Sequence, residues 1–233
     1  MNDRTIPSPT EPTTLVEAAY QRLRDDIVEG ILAPGEKLRV EHLKDRYGVG
    51  AGTLREALLR LVSDALVLVQ GQRGFRVAPM SLTDFEDITR TRVLLETEAL
   101  RQSIQAGGEE WEAKLVSAFH LLSRAEDRLD QDHAVVAEWE LRNRLFHESL
   151  IQACPSRWLL HFQAILYRQS ERYRRLSVFR RPIPRDVHAE HQALFEAALR
   201  RDADAAAAVL REHILRTLEA VRHMPRDFFT LRP

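Results

Sequence analysis

"YGVGAGTLREALLRLVSDALVLVQGQRGFRVAPMS", residues 47–81, changes its period halfway along. Up to about Ala65 the apolar residues recur every three or four positions, and Leu54, Leu58 and Leu61 fall on one face of a helix. From Leu66 onward, "LVLVQGQRGFRVA" is rich in strand-forming residues, and Gly71 and Gly74 stand between two short runs. That is the pattern of a β-hairpin.

Upstream, "VGAG" reads as a tight turn and "RVEHLKDRYG" as a short helix. "APGEKL" reads as a turn, punctuated by Pro34 and Gly35. "LVEAAYQRLRDDIVEG" is a further helix, capped by Thr13 or Thr14, striped by Val16, Tyr20, Leu23 and Ile27, and stopped by Gly30. Residues 1–13, with three prolines among Ser and Thr, read as a disordered arm. Helix, short helix, turn, helix and hairpin is the order of a winged helix-turn-helix, here over residues 14–80. Downstream, Pro79 breaks the module and Ser81 or Thr83 can cap the next helix. Six helical patterns then succeed one another, roughly 83–106, 109–130, 134–153, 156–177, 186–200 and 202–222, with no strand and no internal repeat. The fold expected is mainly α: a winged helix-turn-helix followed by an all-α antiparallel bundle over residues 83–223.

Composition excludes more than it suggests. The chain has 233 residues, is 30% charged and 44% hydrophobic, and carries a net charge of −1. No apolar run approaches a membrane span, and Cys154, the single cysteine, rules out an intrachain disulfide and a Cys-based zinc finger. A cytoplasmic protein that avoids membranes is expected. Residues 1–80 hold 11 basic and 11 acidic side chains, so any case for DNA rests on motif rather than bulk charge.

In a helix-turn-helix the second helix enters the major groove with its N-terminal residues against the base edges. Here that end is "GAGTLREA". Thr53 can bond a phosphate or a base, and Arg55 carries the planar fork that reads guanine O6 and N7. At the wing tip Gln72, Arg73 and Gly74 offer side chains and a backbone amide to phosphates. The competing reading pairs Arg55 with Glu56 or Glu41 on a solvated face.

"WELRNRLFHESLIQAC", residues 139–154, raises a different question. Trp139, Asn143, Phe146, His147, Leu150 and Cys154 share one helical face, with Glu140, Arg144 and Glu148 off it. Two more histidines share this context: His191 beside Val187, Leu194, Phe195 and Ala198, and His213 beside Ala206, Val209, Thr217 and Ala220. Three helices thus aim an imidazole at one interior, where a divalent metal (zinc, nickel or manganese) could satisfy them, with Asn143 adding an oxygen. Alternatively each histidine bonds a carbonyl or a glutamate. Arg92 shares a face with Phe85, Ile88, Glu96 and Ala99, which suits either a carboxylate clamp or an i,i+4 pair with Glu96. Arg172 and Tyr173 are further candidates to reach the cavity. Trp111 and Trp158 read as packing anchors, and Cys154 as an inert core thiol.

The run "LAPGEKL…YGVGAGTLREALLRLVSDALVLVQGQRGFRVAPMS" resembles the N-terminal domain of GntR-family transcription regulators, and the helical remainder resembles their FCD subgroup, together covering residues 14–222. "GVGAGTLREAL", "GGEEWEA" and "FHLLS" carry a likeness to a carbon-starvation-induced, glutarate-responsive branch of repressors. The resemblance implies a homodimer on a palindromic double-stranded DNA operator, a metal held by Asn143, His147, His191 and His213, and a small carboxylate effector, glutarate the first candidate, held by Arg92. It also implies that the chain is not an enzyme. Most of the family has Ser-Arg where this chain has Gly50-Ala51, which moves the burden of DNA reading to Arg55, Thr53 and the wing. Many relatives have Asp at the position of Asn143, so three imidazoles and an amide would leave the metal's charge uncompensated. Two other readings are a metal-dependent hydrolase using the three histidines and a metal-free sensor of a larger apolar effector.

Overall fold

The computed structural model describes residues 14–71, 74–129, 133–180, 183–225 and 229. The expected arm at 1–13 lies outside them, as do Gln72 and Arg73. The chain divides into two units, Met1–Pro79 and Met80–Pro233.

The first unit holds α1 (Leu15–Val28), β1 (Lys37–Leu38), α2 (Val40–Tyr47), α3 (Ala51–Ser63), β2 (Val67–Val69) and β3 (Phe75–Val77). Thr14 caps α1, its hydroxyl accepting from the Glu17 amide at 3.1 Å. Gly48 ends α2 in the left-handed region, at φ 64° and ψ 34°, and its amide returns to the Lys44 carbonyl. Gly50, extended, starts α3 two residues later, so a glycine on each side sets the turn between the helices. The hairpin forms as expected, Val67 opposite Val77 and Val69 opposite Phe75. The sequence reading missed β1. "APGEKL" is more than a turn, because Lys37 and Leu38 pair with Arg76 and Phe75 and give the sheet the order β1-β3-β2. The core beneath it is aliphatic: Leu23, Leu32, Leu54, Leu58, Leu61 and Leu66 are fully buried. Burying a Leu side chain is worth roughly 1.5–3 kcal/mol.

The second unit holds α4 (Leu82–Ala106), α5 (Glu109–Glu126), α6 (His133–Ile151), α7 (Arg157–Arg180), α8 (Val187–Leu199) and α9 (Ala203–Arg222), with no strand among the described residues. Ser81 caps α4, Asp186 caps α8 and Asp202 caps α9, each side chain accepting from the amide three residues on. Short connections make successive helices antiparallel. A large apolar cluster joins Leu100, Trp111, Leu115, Trp139, Phe146, Leu194 and Leu210.

Two expectations need correcting. Trp111 is an anchor, buried with its indole N–H on the Leu150 carbonyl, but Trp158 is 57% exposed. The inward stripe of α7 is Gln163, Tyr167, Ser170 and Arg174, and Trp158 and Phe162 lie off it. Glu140 also departs from its expected solvated place: it is 3% exposed and bonded to Arg174. No helix of the described residues is long and apolar enough to cross a membrane.

Candidate functional site

In the first unit the surface is what matters. Leu54, Leu58 and Leu61 turn inward, which leaves Arg55 exposed and Thr53 half-buried at the start of α3. The pairs that would have occupied Arg55 are taken elsewhere, Glu56 by Arg60 at 3.6 Å and Glu41 by Lys44 at 2.8 Å. Among the described residues Arg55 makes no ion pair. Its guanidinium acts on Glu41 only through space, helping Lys44 to hold that carboxylate below its usual range. At the wing, the Gln70 amide donates to the Gly74 carbonyl at 2.8 Å, and Gly71 and Gly74 take φ of 50° and 88°, which glycine permits without strain.

In the second unit the interior matters. His147 on α6, His191 on α8 and His213 on α9 are buried, and each offers a ring nitrogen within 4.8 Å of the others. Their rings contact one another pairwise, with centroids 4.8–5.5 Å apart. Glu126 at the end of α5 accepts from His191 Nδ1 at 2.6 Å and from His188 Nδ1 at 2.7 Å. Glu190 lies 2.9 Å from His213 Nδ1. With Nδ1 engaged, His191 Nε2 is buried and has no partner among the described residues. A carboxylate on one nitrogen and an orphaned second nitrogen is how protein imidazoles are presented to metals.

Charge on the cluster is costly without an ion. Burial holds His147 well below its ordinary value, with help from the two neighbouring histidines, Arg174 and Arg92. Burial also pushes His213 down to about 3 despite its bond to Glu190. Neutral imidazoles are the form that binds metal. Burial raises the affinity of Glu126 for a proton, but hydrogen bonds from His191 and His188 outweigh it and keep the carboxylate ionised. Glu190 is held lower still by Arg185 and His213 against the same effect of burial. Two carboxylates thus stand against the candidate ligands, Glu126 behind His191 and Glu190, itself paired with Arg185 and Arg216, behind His213. Sequence reading offered a glutamate as a histidine partner but named neither residue.

Asn143 is buried one turn from His147, and its Nδ2 donates to the Tyr167 hydroxyl at 2.9 Å. Tyr167 lies between two buried ion pairs. The Arg92 guanidinium is 5.2 Å from its ring centre and that of Arg174 is 4.6 Å away. Arg92 Nε and Nη2 donate to Glu96 at 2.6 and 3.2 Å, so the i,i+4 pair is formed. One edge of the guanidinium is thereby spent on Glu96, and its remaining donors are the two N–H groups of Nη1 and the second of Nη2. Arg174 Nε donates to both Glu140 oxygens at 2.9 and 3.2 Å.

Tyr173 makes its contacts away from the cluster. The Tyr173 ring stacks on Phe85 at 4.3 Å, and its hydroxyl meets Asp84 Oδ2 at 3.1 Å and the Ser81 amide at 3.2 Å. Arg172 is buried within the field of the same Tyr173 and Asp84, and burial lowers its pKa. At about 100° per residue, Ser170 and Arg174 share the face of α7 that carries Tyr167, whereas Arg172 and Tyr173, also buried, lie off that face.

The FCD domain profile matches residues 87–216, and the profile of bacterial regulatory proteins of the gntR family matches residues 15–77. The HTH-type transcriptional regulator BphR of Paraburkholderia xenovorans, itself uncharacterized, is 51% identical over 210 residues, 90% of this chain and 86% of that protein. The HTH-type transcriptional repressor GlaR of Escherichia coli is 38% identical over 207 residues, 87% of this chain and 94% of that protein. Among solved structures, McbR/YncC of E. coli superposes with a TM-score of 0.72 over 90% of this chain and 98% of that one, at 21% identity, a likeness of fold.

Proposed function

The chain belongs to the GntR family of bacterial regulatory proteins and carries an FCD domain, and we propose that it is a cytoplasmic repressor whose operator is released when a small carboxylate binds at a metal in its bundle. It is a transcription regulator rather than an enzyme, as are its relatives, which removes the hydrolase reading. In this proposal a homodimer sets two copies of α3 on a palindromic site, Arg55 and Thr53 read bases, and Gly74 with the wing holds phosphates.

The observation that carries the sensing half is His191: its Nδ1 is fixed by Glu126, its buried Nε2 has no partner among the described residues, and the ring lies against two more imidazoles. His147, His191 and His213 would hold zinc, nickel or manganese, with Asn143 as the fourth candidate. The metal would supply a Lewis-acidic position for one carboxylate oxygen. Arg92 would take a carboxylate oxygen with the donors that Glu96 leaves free. An interior lined by Arg92, Glu96, Glu140 and Arg174 suits a polar acid better than an apolar effector, because hydrocarbon cannot satisfy buried charges. Glutarate is the first candidate, by family likeness.

The test is calorimetric titration of metal-loaded protein with four- to six-carbon diacids, followed by operator binding with and without the tightest of them. Binding that stabilises the protein and loosens the operator is expected, since a ligand shifts an equilibrium only by its differential affinity for the two states. No metal uptake from zinc, nickel or manganese, or no heat with any diacid, refutes the sensing half and leaves the DNA-binding half standing.

A further inference from the structure

Most polar side chains inside the bundle have found a partner, which makes two donors that have not worth explaining. The hydroxyls of Thr91 and Thr97 on α4 donate to the carbonyls of Asp87 and Val93, at 3.0 and 2.7 Å. This is the usual resting place of a helical threonine. Thr89, on the same helix, is 1% exposed, and its Oγ1 has no hydrogen-bond partner among the described residues. Trp139 on α6 is 2% exposed, and its indole Nε1 is equally without one.

The two lie at one height. Ser103, near the end of α4, accepts from the amide of Ala153 just past α6 at 3.1 Å, so these helices run parallel with their C-terminal ends together. Thr89 stands fourteen residues before Ser103, and Trp139 fourteen before Ala153. Equal rise along two parallel helices brings them level. The register is checked one turn lower, where Arg92 and Asn143, eleven and ten residues before the same two positions, both meet Tyr167. Trp139 also lines a cavity of about 650 Å³ with Ser177, Val178, Arg185 and Glu126, the last being the carboxylate that orients His191.

The bundle interior is thus stacked in three levels: the imidazoles, then Arg92 with Tyr167 and Asn143, then Thr89 with Trp139. We infer that Thr89 Oγ1 and Trp139 Nε1 grip the far end of the effector, which is therefore an acid bearing a second oxygen function remote from its first carboxylate. The inference rests on the carboxylate-sensor reading and adds the residues that set its specificity. An acid whose oxygens sit on adjacent carbons engages only the lower levels, since eight residues of α6, about 12 Å of rise, separate His147 from Trp139. A monoacid leaves both donors unpaired, and a site built to hydrogen-bond a group discriminates against the analogue that lacks it.

Thr89→Val removes one donor at nearly constant shape, whereas Trp139→Phe removes the other together with part of a buried indole, so its packing cost is read separately from the ligand-free melting temperature. The full-length, zinc-loaded chain and both variants would be titrated with glutarate and adipate and with the equal-length monoacids valerate and hexanoate. The expected result is a preference of the original chain for the diacid, weakened about tenfold by either substitution, with monoacid affinity and zinc content unchanged. Thr89→Val should also keep or raise the melting temperature of the ligand-free protein, since it deletes an unpaired buried hydroxyl. Variants that bind the diacid as tightly as the original chain would overturn the inference and leave the sensor reading intact. Equal losses for monoacid and diacid would overturn it too, by marking the residues as structural. If the original chain binds neither acid, both readings fall.

Discussion

The two units solve opposite problems with the same helical vocabulary. In the first, the core is almost wholly aliphatic and its chemistry is presented outward, with Arg55 exposed at the start of α3 and without an ion pair among the described residues. In the second, Arg92, Glu96, Glu140, Arg174, Glu190 and three histidines are buried. An apolar core holds its fold by area alone and tolerates changes on its surface. A polar core is stable only while every partner is present. Substitutions should therefore matter at the surface for function in the first unit, and in the interior for both stability and function in the second.

The largest effect expected is at Glu140. Glu140→Ala leaves the Arg174 guanidinium buried beside Tyr167 without its carboxylate, which should cost about 3–5 kcal/mol in urea denaturation. Replacing both residues by methionine should recover most of that loss, because two apolar groups leave nothing unpaired. A loss below about 1 kcal/mol for Glu140→Ala would mean the pair is solvated, and the contrast between the units would weaken.

Next comes Glu126, which is not itself a proposed metal ligand but fixes His191. Glu126→Ala should lower metal affinity about 10–100-fold by freeing the imidazole to turn. Glu110, paired with Lys114 on the exposed side of α5, is the control, and its alanine variant should bind metal like the original chain. Equal affinities for both variants, measured by competition with a chelating dye, would remove the orienting role.

How far these features were legible depends on whether apolar neighbours marked them. The imidazoles of His147, His191 and His213 could be read because each interrupts an otherwise apolar stripe of fixed helical spacing. Tyr167 and Arg174 could not, since the inward face of α7 is itself polar and has no hydrophobic period to reveal it. Trp158, read as a packing anchor, marked the wrong face, for it is exposed. Glu126 lies 65 residues from His191, and no local pattern joins an acid at one helix end to a histidine on another. The hairpin and both helices of the reading module announced themselves through a change of period. β1 did not, because two residues are too few to display one.

At the surface of the first unit, Arg55→Ala should cost about 1–3 kcal/mol in binding to a selected operator while leaving the melting temperature unchanged. Gel shifts on that operator and on a scrambled duplex separate base reading from phosphate attraction. An equal loss on both would make Arg55 a phosphate contact and transfer base reading to Thr53 or to residues beyond α3.

The smallest effect distinguishes two glycines. Gly48 sits at φ 64° with nothing within 4 Å of where a Cβ would stand, so Gly48→Ala meets only the conformational penalty of the left-handed region, about 1 kcal/mol. Gly107, between α4 and α5, has ordinary backbone angles, but its added Cβ would lie 2.7 Å from the Trp111 ring and 2.9 Å from the Ser103 carbonyl. Gly107→Ala must push an indole whose N–H is tied to Leu150 against a helix end that cannot retreat, and overpacking of this kind costs about 1–3 kcal/mol. The same substitution thus probes a turn in open space in one unit and a closed contact in the other. Gly48→Asn, which tolerates positive φ, should regain much of the alanine loss, whereas Gly107→Asn should be worse than alanine because the difficulty there is volume. Thermal melts of the four variants are the measurement. If asparagine rescues both positions or neither, strain and crowding are not separable in the way these two contacts require.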